Sequence, residues 1–224
     1  MSKYYFVTGT DTDVGKTFCA CVVTSVLRKN GLTVRPYKPV VAGFENGENA
    51  DLTSHIAASG ISLNPMDITA YAFEDPIAPH IASMKQNIPI TFSGLDAGLI
   101  KAEESNADVI ITEGAGGWML PVSQTEVLPS WPSLKKMEII VVVGMKLGCL
   151  NHALLTVNDI RSRGYRIKGF IANTPGPQVM PYYEENLDTL KGMLDCPFLG
   201  EVFYEPAHSF TEAGHNLNEA LLIG

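Results

Sequence analysis

The sequence predicts an α/β fold in which a mostly parallel, doubly wound sheet is covered by helices on both faces, giving three layers. Three observations lead to this prediction. Short apolar runs alternate with helical stretches, the order that parallel strands and crossover helices require. Residues 139–143 (IIVVV) have no polar face, as is typical of strands buried on both sides. Residues of distinctive chemistry follow the strands, where such sheets bind ligands.

The first elements are a strand, a helix and a strand. Residues 4–8 (YYFVT) are aromatic or branched without an alternating polar face, which indicates a buried strand. A glycine-bearing turn leads to a helix over residues 17–29, which Asn30-Gly31 terminates. Residues 32–37 then predict a second strand.

The middle of the chain is less regular. Residues 43–49 (GFENGEN) are polar and glycine-rich and predict a loop before a helix over residues 50–59. Residues 61–93 carry several prolines and little periodicity, so we expect a long irregular connection of functional importance. A helix over residues 94–105 follows.

The second half of the chain continues the alternation. Apolar runs predict strands at residues 109–112, 138–143, 167–172 and 199–203. Amphipathic stretches predict helices at residues 149–163, at 181–194 with proline in the first turn, and at 216–222 as a short tail. No internal repeat interrupts this order, and we expect one domain over residues 1–224.

Composition narrows the classes of function. The 224 residues are 46% hydrophobic with a net charge of −8, which disfavours general binding of nucleic acid. No apolar run approaches the roughly 20 residues that span a bilayer, and no signal peptide is recognisable, so we expect no membrane association. The cysteines follow no zinc-binding spacing, which favours free thiols in a reducing cytoplasm: Cys19, Cys21, Cys149 and Cys196.

The most specific motif is residues 9–17 (GTDTDVGKT), between a predicted strand and a predicted helix. In such a phosphate-binding loop, backbone N–H groups and the helix N-terminus bind phosphate oxygens. Lys16 can reach the β- and γ-phosphates, and the Thr17 hydroxyl can bind Mg²⁺. Five residues separate Gly9 from Gly15, where the usual motif has four. The prediction is a P-loop NTPase type of fold.

Further polar residues follow other strands. Glu113 ends a strand and precedes Gly114-Ala115-Gly116-Gly117, a position that suits a metal ligand or a turn glutamate. Asp51 begins a helix, where it can be a ligand or simply a helix cap. Lys38 follows the second strand, and it either points into the cleft or is solvated.

Two later segments also have alternative interpretations. Residues 146–152 (KLGCLNH) lie between a predicted strand and a predicted helix. Either their backbone N–H groups bind a carboxylate, or the segment is an ordinary helix start. Asn173 follows a strand, and its amide suits either an adenine edge or a turn.

The sequence resembles the dethiobiotin synthetase family from Ser2 to about residue 203. The phosphate loop with its extra residue carries the resemblance, together with motifs that occur in the family's order: Tyr37 to Pro39 (YKP), Asp51, residues 78–81 (APHI), 113–118 (EGAGGW), 143–152 (VGMKLGCLNH) and Ala172-Asn173.

The resemblance implies roles for individual residues. Lys16 and Lys38 are the implied catalytic lysines, and Thr17, Asp51 and Glu113 the implied ligands of Mg²⁺. The implied ATP-binding residues are Thr12, Asp13, Val14, Gly15, Lys16, Thr17, Asp51, Glu113, Gly114, Ala115, Gly116, Asn173 and Thr174. The implied substrate-binding residues are Ala42, Gly148, Cys149, Leu150 and Asn151, the last four from the partner subunit of a homodimer.

The implied substrates are 7,8-diaminononanoate, CO₂ and ATP. One amine forms a carbamate, ATP phosphorylates it, and the second amine closes the ureido ring, releasing phosphate. The site would gain rate by holding that amine close and by neutralising phosphate charge.

The sequence departs from the family pattern in several places. Ala42 stands where the family has a small hydroxyl residue, and Thr174 stands where it often has aspartate. Residues 203–224 match poorly, and Phe203-Tyr204-Glu205 comes nearest to the family's late base-contacting segment. Either Tyr182 or Tyr183 corresponds to a family tyrosine that reaches the substrate.

Two other functions fit part of the sequence. An ATP-dependent amidoligase acting on a carboxylate would need an ammonia source, and 224 residues show no glutaminase domain. A partitioning or scaffold ATPase would use ATP to control dimerisation and would typically carry a basic patch or amphipathic tail. Residues 216–222 contain no lysine or arginine, which argues against that class.

Overall fold

The computed structural model describes residues 2–204 and 209–224. Its strands are β1 (Lys3–Gly9), β2 (Val34–Tyr37), β3 (Val40–Ala42), β4 (Tyr71–Phe73), β5 (Val109–Glu113), β6 (Glu138–Gly144), β7 (Arg166–Thr174) and β8 (Phe198–Phe203). Its α-helices are α1 (Lys16–Lys29), α2 (Ala50–Ser59), α3 (Pro79–Gln86), α4 (Phe92–Glu103), α5 (Cys149–Ser162), α6 (Tyr183–Met193), α7 (Phe210–Ala213) and α8 (Glu219–Ile223).

Six strands form one sheet in the order β2-β5-β1-β6-β7-β8, and every neighbouring pair is parallel. Strand β1 therefore lies between β5 and β6, which follow it much later in the chain. All carboxyl ends of the strands meet at one edge. The crevice beside β1 is the place where such a sheet binds ligands.

Strand β6 shows how the two faces of the sheet are covered. Ile139, Val141 and Val143 pack into one apolar cluster, with residues of α4, α5 and α6. Ile140 and Val142 point to the opposite cluster, which includes the buried face of α1. This alternation places helices on both sides of a buried sheet, and it confirms the predicted three-layer α/β fold.

Most predicted elements are confirmed, with ends shifted by no more than two residues. The irregular connection predicted over residues 61–93 is wrong in part. It contains α3, the start of α4 and strand β4, which pairs with β3 in a separate parallel ladder. Three-residue strands are too short to show periodicity, and Pro79 occupies the first turn of α3, where proline is tolerated.

The C-terminal third contains further corrections. Helix α6 begins at Tyr183, because Tyr182 has a left-handed backbone (φ 56°) and Pro181 lies before the helix. The predicted tail helix over residues 216–222 is instead α8 (Glu219–Ile223), and α7 was not predicted. Glu205, the end of the predicted base-contacting stretch, lies outside the described residues. Within the described part of the chain, no helix is both long and apolar enough to cross a membrane.

Candidate active site

The loop between β1 and α1 has the backbone of an anion-binding turn. Asp13 (φ 56°) and Gly15 (φ 80°) are both left-handed. A Cβ atom at Gly15 would lie 2.1 Å from the side-chain nitrogen of Asn173, so only glycine fits there. That nitrogen donates a hydrogen bond to the carbonyl of Val14 at 2.7 Å. Asn173 therefore supports the loop from the end of β7.

The side chain of Val14 anchors the loop to the sheet. Val14 is buried, and a Cβ atom at Gly9 or Gly144 would lie 2.6 or 2.7 Å from its methyl groups. The ends of β1 and β6 thus make room for this one side chain. Its burial leaves the backbone of the loop facing the open edge of the sheet.

Lys16 and Thr17 open α1 directly after this loop. The helix has Gly15 at its N-cap and no side-chain cap, so its first N–H groups are left for an anion. The Lys16 ammonium donates to the carbonyl of Asp11 at 3.1 Å. Burial lowers the pKa of Lys16 and outweighs the opposite effect of Glu113.

Four elements bring charged groups together beside Thr17. The Thr17 hydroxyl lies 3.0 Å from Asp51 Oδ1 and 2.9 Å from Glu113 Oε1. The Lys38 ammonium donates to Asp51 Oδ2 at 2.5 Å and to Glu113 Oε1 at 2.7 Å. Strands β2 and β5 pair Tyr37 with Thr112, which makes Lys38 and Glu113 neighbours.

Electrostatics keeps Lys38 and Glu113 ionised although both are buried. Burial by itself would raise the pKa of Glu113, but Lys38 and the hydrogen bond from His55 hold it well below its usual value. Burial would lower the pKa of Lys38, and the two carboxylates raise it instead. The alternative that Lys38 is a solvated lysine is therefore wrong: it is 4% exposed.

Helix α2 contributes Asp51 in its first turn. The N-cap of α2 is Asn49, whose side chain accepts hydrogen bonds from the backbone of Asp51 and Leu52. The alternative that Asp51 is only the cap is wrong, because Asn49 holds that position. Its carboxylate is left to contact Lys38 and Thr17.

His55 is a site residue that the sequence analysis missed. It is fully buried, and its Nε2 lies 2.5 Å from Glu113 Oε2. It follows Asp51 by four residues, so both lie on one face of α2. That spacing was the available signal in the sequence.

A cavity of about 550 Å³ lies over these groups. Of the predicted site residues, it is lined by Thr12, Asp13, Gly15, Lys16, Thr17, Lys38, Ala42, Asp51, Glu113, Ala115 and Gly116. The sequence analysis assigned no role to its remaining lining residues, which are Val40, Val41, Pro76, Ile77, Ala78, Pro79 and Leu120. Polar groups thus form one end of the cavity and apolar side chains another.

The loop after β5 runs beside the phosphate loop. Gly116 has a left-handed backbone (φ 57°), and a Cβ atom at Gly117 would lie 3.7 Å from Asp11 Cα. Gly114 precedes this approach and does not line the cavity. At the other side, Ala42 lines the cavity while its carbonyl accepts a hydrogen bond from Asn49 at 3.1 Å.

Several predicted residues lie away from the cavity. Asn173 supports the phosphate loop from the end of β7, the side chain of Val14 is buried within that loop, and Thr174 is buried beside Asn173. Residues 148–151, at the start of α5, do not line the cavity of their own chain. Leu147 beside them is 95% exposed.

The donor set fits magnesium. Thr17, Asp51 and Glu113 present hard oxygen atoms, which Mg²⁺ prefers, and phosphates normally complete its coordination. Among residues 2–204 and 209–224, no cluster of three histidine, cysteine or acidic side chains could bind a metal by itself. The site therefore suits an ion that arrives with a nucleotide.

The parallel sheet and the Gly-Lys-Thr corner define a P-loop nucleotide-binding protein. Solved structures share the fold. Chloroplast FtsY from Physcomitrella patens has a TM-score of 0.60 at 14% identity. The match covers 100% of this chain and 64% of the FtsY chain. A chain of the MinC:MinD cell division protein complex of Aquifex aeolicus has a TM-score of 0.54 at 16% identity. The match covers 96% of this chain and 87% of that chain.

Sequence comparison identifies the family. A family described as an AAA domain matches residues 3–211. The ATP-dependent dethiobiotin synthetase of Aeromonas hydrophila subsp. hydrophila is 44% identical over 207 residues, 90% of this chain and 91% of that protein. The one from Vibrio vulnificus is 38% identical over 227 residues, 100% and 99% of the two chains. This chain belongs to the ATP-dependent dethiobiotin synthetase family.

Proposed function

We propose that this protein is a ligase that converts 7,8-diaminononanoate, CO₂ and ATP into dethiobiotin, ADP and phosphate, in biotin biosynthesis. Because the chain belongs to this family, one structural observation is enough to support the proposal. Lys16, Lys38, Thr17 and the carboxylates of Asp51 and Glu113 meet at the polar end of one cavity. The 224 residues would act as one domain, in which both core layers are built on the same sheet.

The phosphate loop would bind the triphosphate of ATP. Thr12, Asp13 and Gly15 line the cavity, and the uncapped start of α1 adds partial positive charge. Lys16 already lies in the loop, with its ammonium on the Asp11 carbonyl. A γ-phosphate would offer this ammonium a stronger, charge-assisted hydrogen bond.

Lys38 would act at the transferring phosphoryl group. It is buried, fully charged and held between two carboxylates beside Thr17. Phosphorylation of a carbamate concentrates negative charge, so ammonium groups at both sides of the phosphoryl group lower the barrier. The phosphorylated carbamate then has a good leaving group, and the second amine attacks it within the same cavity.

Thr17, Asp51 and Glu113 would hold the magnesium ion of the nucleotide. Bound there, Mg²⁺ would offset charge on the β- and γ-phosphates. Asp51 and Glu113 share Lys38 as their counterion, so the two carboxylates and one ammonium leave an excess of negative charge that favours a cation.

Residues 148–151 would bind the carboxylate of 7,8-diaminononanoate in the cavity of a partner subunit. They do not line the cavity of their own chain, although Gly148 leaves the N–H groups at the start of α5 uncapped. Leu147, just before α5, and Leu155 within it are 95% and 63% exposed, which suits a subunit interface. A homodimer with shared sites accounts for both features.

The cytoplasm would be the place of this activity. All four cysteines are free, and Cys19, Cys21 and Cys149 are buried. Free thiols in a protein of this size are typical of a reducing compartment.

A direct test incubates the protein with 7,8-diaminononanoate, bicarbonate, Mg²⁺ and ATP and measures dethiobiotin by mass spectrometry. We expect dethiobiotin and phosphate in equal amounts, and neither without the diamine. If the rate of phosphate release does not depend on the diamine and no dethiobiotin forms, the proposal is refuted and a switch ATPase is favoured. Formation of an amide on a carboxylate substrate would instead favour an amidoligase.

A further inference from the structure

Glu113 uses its two carboxylate oxygens differently. Oε1 faces Lys38 at 2.7 Å and the Thr17 hydroxyl at 2.9 Å, where the magnesium ion would bind. Oε2 points the other way and contacts His55 at 2.5 Å. Both Glu113 and His55 are fully buried.

The histidine must donate this hydrogen bond, because an ionised carboxylate can only accept. The Lys38 ammonium, 2.7 Å from Oε1, gives Glu113 the charged partner that an ionised carboxylate needs. The other ring nitrogen of His55, Nδ1, lies 4.0 Å from the sulfur of Cys21 on α1. Cys21 and Glu113 therefore lie against opposite nitrogens of the same imidazole ring.

Helix geometry places His55 for this contact. Asp51 and His55 are four residues apart on α2 and face the same site, one turn above the other. Asp51 contacts Thr17 and Lys38, while His55 reaches behind Glu113. One rigid helix thus sets the positions of both carboxylates.

We propose that His55 is a positioning residue that holds the Glu113 carboxylate with Oε1 directed at the metal ion. The terminal torsion of a glutamate is broad, so an unrestrained carboxylate would sample several orientations. Partners of this kind fix the orientation of a metal ligand, and their removal typically weakens metal binding roughly 10- to 100-fold. The inference rests on the proposed magnesium role of Glu113.

The test measures nucleotide and metal binding rather than turnover. The affinity for ADP is determined by titration calorimetry in excess Mg²⁺ and again in EDTA, for wild type, His55→Leu and His55→Gln. Glutamine can place an amide N–H near the position of Nε2, whereas leucine cannot donate. Ala58→Gly, which weakens the same helix two turns away from Asp51, is the control for stability alone.

We expect His55→Leu to lose roughly 10-fold or more of the ADP affinity in Mg²⁺ with little change in EDTA. His55→Gln should recover most of this loss, and Ala58→Gly should change neither affinity. If His55→Leu does not fold, His55→Asn replaces it, because its shorter amide cannot reach Oε2. The inference is overturned if His55→Leu loses ADP affinity equally in Mg²⁺ and in EDTA, or loses none. It is also overturned if the ADP affinity of the wild type does not depend on Mg²⁺, or if His55→Gln loses as much affinity as His55→Leu.

Failure of this inference can be separated from failure of the proposed function. The binding measurements contain no diamine, while dethiobiotin formation by the wild type is measured on its own. If the wild type forms dethiobiotin but the variants bind ADP in Mg²⁺ as the wild type does, only the positioning role of His55 is removed. If the wild type forms no dethiobiotin but His55→Leu loses the Mg²⁺-dependent part of its ADP affinity, the positioning role of His55 stands and the proposed function fails.

Discussion

Replacing Lys38 by methionine removes the ammonium that pairs with two carboxylates and keeps most of the apolar stem. In the wild type, the ammonium lies 2.5 Å from Asp51 and 2.7 Å from Glu113. Glu113 has no exposure to solvent, so water cannot replace the lost partner. Thr17 and His55 would still contact Glu113, but neither replaces the ammonium at Oε1, where Thr17 offers only a hydroxyl.

The expected loss of stability follows from this burial. Removing one partner of a buried ion pair costs about 3–5 kcal/mol, because an uncompensated charge remains. For a chain of this length, each kcal/mol corresponds to roughly 2–4 °C in Tm, so we expect the variant to unfold about 10 °C earlier. Lys146→Met is the matched control. Lys146 also pairs with an aspartate, Asp11 at 2.9 Å, but both side chains are about half exposed, and such pairs contribute about 0–1 kcal/mol.

The dependence on pH gives a second check with a defined sign. Because the folded protein depresses the pKa of Glu113, this carboxylate adds stability above the ordinary carboxyl pKa, and that stability is lost only in strong acid. Without Lys38, burial dominates and raises the pKa of Glu113, so it takes up a proton at a higher pH. The difference in unfolding free energy between wild type and Lys38→Met should therefore be largest near neutral pH and smaller at about pH 5.

The assay is urea unfolding of the nucleotide-free protein in EDTA, at about pH 7 and about pH 5. Turnover and ATP affinity of the same variant are measured in Mg²⁺, and we expect kcat to fall far more than ATP affinity. A variant no less stable than Lys146→Met, or a difference from wild type that grows in acid, would refute the reasoning. Equal losses in kcat and in ATP affinity would mean that Lys38 only binds.

Three other predictions concern the phosphate loop and the proposed dimer. Lys16→Ala should abolish diamine-dependent phosphate release in a steady-state assay, and retained activity would contradict the role of the loop. Mixing Lys16→Ala with an inactive Asn151 variant should restore about a quarter of wild-type dethiobiotin formation if sites are shared between subunits, and none if each chain works alone. Gly15→Ala should destabilise the protein by several kcal/mol in a thermal melt, since its Cβ would lie 2.1 Å from Asn173, whereas Gly31→Ala has a similar φ but open space and should cost about 1 kcal/mol.

Much of the site could be predicted because its sequence motifs are local. Residues 12–15 form one loop that leads directly into Lys16 and Thr17 of α1, and the residues that shape this loop, such as Gly15 and Val14, lie within it. Lys38 and Glu113 were predicted from their places after strands, although their contact depends on which strands are neighbours. Asp51 had two interpretations until the structure showed that Asn49 is the cap.

The elements that were missed lack a local signature. Strands β3 and β4 are three residues long, so neither shows an alternating pattern, and they form a ladder only with each other. His55 had one local signal, its four-residue spacing from Asp51, but its contact with Glu113, 58 residues later in the chain, depends on the fold.

By itself, the sequence determined the fold class, the phosphate loop and the family, because periodicity, turn residues and short motifs are properties of neighbouring residues. The tertiary structure was needed to show that Lys38, Glu113 and His55 are buried together with Asp51 at their edge, and that residues 148–151 lie outside the cavity of their own chain. The physical reason is the order of the strands. The sheet places β5 between β1 and β2, and this pairing of distant segments depends on the packing of the whole core.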